Sequence, residues 1–222
     1  MGIITIDKSD HLYWLGRYTE RVHTTLKYYF KSADLMIDSD PDYYAVLCRK
    51  IGISDIYGSS KAFKRQYAFD ECNPDSIISS LNRAYDNAIV MRDYIGTETM
   101  AYIQLAIDDI KTAENSHSPI VDLMNAVDHI LAFWGCVNDM IEDEQIRNII
   151  KLGKGVERLD LYLSFDKPES DIRTAFQRMK GYLRKSKLRY DEKVLYTLEN
   201  TLSEAAYHQE DVKSLLHDLI HT

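Results

Sequence analysis

The chain has 222 residues, 35 of them acidic and 27 basic, so its net charge is −8 and its length allows a single domain with a sizeable core. This charge repels phosphate backbones and anionic headgroups, which argues against nucleic acid or a membrane as the main partner. The three cysteines have no close spacing and no apolar leader opens the sequence, so we predict a cytoplasmic protein with reduced thiols.

Apolar residues recur at helical spacing along nearly the whole chain, and glycine and proline punctuate the helices. The predicted helices run from Ser9 or Asp10 to about Asp38, from Asp40-Pro41 to Gly52, from Asn73-Pro74 to Gly96, from Thr97, from Ser118-Pro119, from about Asp143 to Phe165, and in two or three pieces after Pro168. Residues 53 to 72 read as a loop with a short helix. We predict an all-α fold, an antiparallel helical bundle of about eight or nine helices in one domain spanning 1–222.

One helix occurs twice in this chain. The segment Leu12–Arg21 returns as Ile149–Arg158, and each copy contains the pattern Gly-x-x-x-Glu-Arg. The overlay pairs Tyr13 with Ile150, Gly16 with Gly153, Arg17 with Lys154, Glu20 with Glu157, and Arg21 with Arg158. In each copy the glycine lies one turn before the glutamate on the same face. The missing side chain predicts that another helix approaches closely there.

Both glutamates project from partly apolar faces, where an ionised carboxylate needs a fixed partner such as a guanidinium. A polar line on the predicted 73–96 helix could meet them, and we expect the two repeated helices to contact each other about an approximate twofold. The candidate pocket or ion-pair cluster comprises Arg17, Glu20, Arg21, Ser80, Arg83, Asn87, Glu157 and Arg158. Arg147, Lys151, Lys154 and Arg158 form a basic stripe that we predict to be solvated, and Trp134 is predicted to be core material.

Three interpretations of the glutamates stay open. They could form ion pairs that fix the register of packed helices, or they could line a ligand or catalytic pocket. The third is a metal site, because Glu and His or Asp three residues apart share a helical face, as in di-iron bundles. Its candidate ligands are Glu20, His23, Glu157 and Asp160. No cofactor is predicted, and the oligomeric state is left open.

These motifs resemble the bacterial alpha-E domain family, an all-helical family with a Glu-Arg motif. The resemblance rests on Leu12–Arg21, Asn73–Ile77, Ser80–Ala88 and Leu152–Asp160, and it places an alpha-E-like core at about 9–165 before C-terminal helices at about 168–222. Lys154 stands where the family usually has arginine, and His23 where it has an acid.

Family members look like companions of atypical ATP-grasp ligases and transglutaminase-like proteins. The resemblance therefore implies a non-catalytic accessory or binding domain that works with an ATP-grasp-type ligase in peptide or amide synthesis or modification. The alternative is an enzyme or metalloprotein with a carboxylate and arginine pocket inside the bundle.

Overall fold

A computed structural model describes residues 4–204 and 207–220, and this part of the chain contains eleven helices and no β-strand. The helices are α1 (Ile6–Asp38), α2 (Tyr43–Ile51), α3 (Ser60–Gln66), α4 (Ile77–Val90), α5 (Arg92–Ile95), α6 (Thr97–Glu114), α7 (Pro119–Asp139), α8 (Glu144–Ser164), α9 (Glu169–Ser186), α10 (Glu192–Thr201) and α11 (Gln209–Asp218). The all-α prediction is confirmed. The predicted number of helices was too low, because the loop between α2 and α4 holds α3, and the predicted 73–96 helix divides at Met91.

Local capping chemistry moves two predicted boundaries. α1 begins at Ile6, before Ser9 and Asp10, because the Thr5 side chain accepts a hydrogen bond from the Lys8 amide and caps the helix. α4 begins only at Ile77, capped by Ser76. The Asn73 side chain, in contrast, accepts a hydrogen bond from the Asp75 amide at 2.9 Å and forms a turn before the helix.

The repeated helices lie at the centre of the bundle. α1 packs between α8 and α4, while α8 packs against α9 on its other side. The α6–α7 hairpin adjoins α4, and α11, paired with α10, rests on α8. Leu12, Leu15, Ile149 and Leu152 are fully buried in this arrangement. The apolar positions shared by the two copies therefore form core, and the Glu-Arg faces meet within the same helix pair.

α7 is the most apolar of the long helices. It is the one helix in residues 4–204 and 207–220 that could cross a membrane by length and composition alone, with a mean hydropathy of 1.4, and 33% of that window is buried. One side of α7 contributes Leu123 and Ile130 to the core. Val121, Met124 and Leu131 on another side are exposed.

Candidate functional site

The two glycines of the repeat sit where α1 and α8 touch backbone to backbone. A Cβ atom added to Gly16 would lie 2.0 Å from the Ile150 carbonyl oxygen, and one added to Gly153 would lie 2.0 Å from the Tyr13 carbonyl oxygen. Tyr13 and Ile150 occupy equivalent positions in the two copies, so the contact is reciprocal. The predicted close approach and the approximate twofold between the helices are both confirmed.

Glu157 from α8 is held by two arginines of α1. The Nε and Nη2 atoms of Arg17 both lie 2.8 Å from Oε2 of Glu157, and the first of these donates a hydrogen bond. The Nε atom of Arg21 donates to Oε1 at 2.5 Å. The Glu157 side chain is 1% exposed, and both of its oxygens have charged donors. Its buried charge is therefore compensated from the opposite helix.

Glu20 from α1 is held less completely by α8. The Nε atom of Arg158 donates to Oε1 of Glu20 at 2.6 Å, and the Thr24 hydroxyl donates to the same oxygen at 3.1 Å. Within the described residues Oε2 has no hydrogen-bond donor, since Nδ1 of His23 is 3.8 Å away. Burial opposes ionisation, but His23 and Arg158 outweigh it and hold the pKa of the Glu20 carboxyl below its ordinary value.

The difference between the two halves comes from one substitution within the repeat. Lys154 occupies the position equivalent to Arg17, yet its Nζ atom lies 3.6 Å from the centre of the Trp134 ring instead of binding the glutamate. Burial lowers the pKa of Lys154 to about 8; Glu20 opposes this shift, and the charge of Arg158 adds to it. Arg17 itself stacks 5.0 Å from the Trp14 ring while it binds Glu157. We refer to the six residues Arg17, Glu20, Arg21, Lys154, Glu157 and Arg158 as the Glu-Arg brace.

The polar line on α4 does not join this brace, and the expectation that it closes the arrangement was wrong. The Arg83 guanidinium lies 5.7 Å from the centre of the Tyr18 ring, and the Asn87 side chain contacts the Arg83 carbonyl and His11. Neither forms a hydrogen bond or ion pair with either glutamate in the part of the chain that the structure describes. Ser80 lines a cavity of about 70 Å³ near Arg21. Arg17, Arg21 and Arg158 already bind the carboxylates of Glu20 and Glu157, which explains why Arg83 does not.

The four candidate metal ligands do not converge on one point among the described residues. The two glutamates face guanidinium groups, and Asp160 lies 4.0 Å from Arg17 and 3.9 Å from His217. Among residues 4–204 and 207–220, no three His, Cys, Asp or Glu side chains form a group that could hold a metal ion. The geometry of Glu20, His23, Glu157 and Asp160 thus favours the ion-pair interpretation over the metal interpretation.

A cleft of about 450 Å³ between α7, α8 and α9 was missed by the sequence reasoning. Three members of the predicted solvated stripe, Lys151, Lys154 and Arg158, form one wall of the cleft, because α9 partly covers them. Trp134 forms another wall as well as packing in the core. Its lining comprises Trp134, Asn138, Lys151, Lys154, Gly155, Arg158, Tyr162, Asp171, Thr174, Ala175, Arg178 and Tyr182. The sequence signal for this cleft is the stripe itself, in which Arg147, Lys151, Lys154 and Arg158 follow one another at steps of four, three and four.

Comparison with known proteins adds one match. The model of the Alpha-E family, described as a predicted alpha-helical domain with a conserved ER motif, matches residues 8–167. The chain belongs to the Alpha-E family. Both Glu-Arg pairs of this Alpha-E chain lie inside the match, whereas α9, α10 and α11 follow it. No curated protein and no solved structure matches the chain.

Proposed function

We propose that this Alpha-E chain is a non-catalytic accessory or binding domain that works with an ATP-grasp-type ligase in peptide or amide synthesis or modification. The observation that carries the non-catalytic part is the state of the motif glutamates. Their side chains are 0% and 1% exposed, and each accepts hydrogen bonds from arginine across the α1–α8 contact. A general acid, base or nucleophile must reach its substrate, so these carboxylates suit a structural role.

An exposed apolar surface supports the proposal of a protein partner. Val121, Met124 and Leu131 are 63%, 58% and 50% exposed, and they recur along one side of α7 at steps of three and seven residues. Exposed apolar groups at helical spacing are typical of surfaces that receive another protein. We assign this side of α7 to the ligase, with a transglutaminase-like protein as the other partner class that the family resemblance implies.

The experiment is affinity purification of the tagged full chain from its native host, followed by mass spectrometry. We expect an ATP-grasp-type ligase to co-purify with the native chain and to be lost from the double variant Met124→Glu/Leu131→Glu. The matched control is Tyr196→Glu, because Tyr196 on α10 is 67% exposed and lies on a different helix. Absence of any such ligase from the native sample, or its retention by the double variant, contradicts the proposal.

A cytoplasmic location belongs to the same proposal. Cys48, Cys72 and Cys136 are free thiols, which suits a reducing compartment. Cell fractionation should place the chain in the soluble cytoplasmic fraction with its partner. Recovery in the membrane pellet after a high-salt wash would instead assign the apolar side of α7 to lipid.

A further inference from the structure

We propose that the cleft between α7, α8 and α9 is a binding site for a small dianionic ligand, either a phosphate ester or a dicarboxylate. The inference goes beyond the accessory role and does not require the ligase. It rests on the charge, the free donors and the aromatic walls of the cleft.

The charge of the cleft is opposite to that of the chain. Four cationic side chains line it, from Lys151, Lys154 and Arg158 on α8 and Arg178 on α9, although the whole protein carries a net charge of −8. Glu20 neutralises the charge of Arg158, and Asp171 offsets one of the other three positive charges, so the cleft keeps a net charge of +2. Lys151, Lys154 and Arg178 have no carboxylate within 4 Å among the described residues. Like charges gathered without counterions favour a ligand with two negative charges.

The Arg158 side chain offers the cleft hydrogen-bond donors that have no acceptor among the described residues. Arg158 uses only its Nε atom on Glu20, so in the described part of the chain its two terminal nitrogens are free for a ligand. The buried Glu20 carboxylate fixes the Arg158 guanidinium in place before any ligand arrives.

The walls and size of the cleft set the ligand class. A volume of about 450 Å³ suits a small molecule. The rings of Trp134, Tyr162 and Tyr182 line the cleft, and the Nζ atom of Lys151 lies 6.0 Å from the Tyr182 ring centre. Aromatic faces accept planar groups, so an aryl phosphate should bind more tightly than inorganic phosphate.

The test is isothermal titration calorimetry of the full chain with inorganic phosphate, phenyl phosphate and glutarate as separate probes. We expect saturable binding of at least one probe, and its identity distinguishes a phosphate ligand from a dicarboxylate. The double variant Lys151→Gln/Arg178→Gln should weaken binding at least about tenfold per lost charge, since tenfold corresponds to about 1.4 kcal/mol. These two side chains lie outside the Glu-Arg brace, so we expect folding to be unaffected.

The matched control is Lys61→Gln, an exposed lysine on α3 outside the cleft, which should bind like the native chain. The chain has two tryptophans, so the Trp14→Phe variant also reports on Trp134 alone, and its fluorescence should change on saturation with the bound probe. No saturable heat with any of the three probes overturns the proposal. Binding that the double variant leaves unchanged overturns it as well, whatever protein partner co-purifies.

Discussion

Alanine at Gly153 tests whether the glycine-mediated approach of α1 and α8 sets the stability of the bundle. The added Cβ would lie 2.0 Å from the Tyr13 carbonyl oxygen, whereas ordinary contacts begin at 3.4 Å, so the helices must separate by about 1.4 Å, the difference between the two. Overpacking of this kind costs about 1–3 kcal/mol. Separating the helices also lengthens the hydrogen bonds from Arg17 and Arg21 to Glu157, so we expect a packing cost of about 3 kcal/mol, the upper end of this range.

Alanine also favours the helix by about 1 kcal/mol relative to glycine, so we expect Gly153→Ala to lower the free energy of unfolding by about 2 kcal/mol. For a chain of this size, that corresponds to a fall in Tm of roughly 4–8 °C. The assay is urea and thermal unfolding followed by far-ultraviolet circular dichroism.

The matched control is Gly181→Ala in the interior of α9, where an added Cβ has no neighbour within 4 Å among the described residues. It should raise the free energy of unfolding by about 0.5–1 kcal/mol, the opposite sign. The double variant Gly16→Ala/Gly153→Ala should cost less than the sum of its parts, because both glycines serve one contact. A Gly153→Ala protein as stable as Gly181→Ala would refute the reasoning.

Three further predictions concern the Glu-Arg brace. Arg158→Ala leaves the buried Glu20 charge without its guanidinium and should cost about 3–5 kcal/mol in urea unfolding, whereas Arg83→Ala should stay within about 0.5 kcal/mol; similar costs would contradict the assignment. Folding lowers the pKa of Glu20, so the ionised carboxylate contributes to the free energy of unfolding above the ordinary pKa of 4.5, and this contribution is lost as the pH falls through the folded pKa. The free energy of unfolding should therefore depend less on pH in the acid range for Glu20→Gln than for the native chain. Among the described residues Oε2 of Glu20 has no donor, so Lys154→Arg should supply one and raise Tm by a few degrees, roughly the effect of one charged hydrogen bond. A lower Tm would show that the contact between Lys154 and Trp134 contributes more to stability.

Local patterns were enough to predict the helices and the meeting of the two repeats. The helical spacing of apolar residues predicted that Leu12 and Leu152 are core residues, because residues three or four apart lie on the same face of a helix. The absence of a side chain at Gly16 and Gly153 predicted a close contact for the same local reason. Caps were harder to predict, because Thr5 and Ser76 competed with other hydrogen-bonding residues nearby for the same role.

Only the tertiary structure decided which partner each glutamate takes and what the basic stripe does. The crossing of α1 and α8 brings Arg17 and Arg21 to Glu157, while Arg83 packs on Tyr18, and no sequence spacing specifies that crossing. Whether a charged face meets water or another helix depends on contacts between residues far apart in the chain. The stripe of Lys151 and Lys154 became a cleft wall because α9 returns along α8, and helical periodicity identifies a face without naming the helix that covers it.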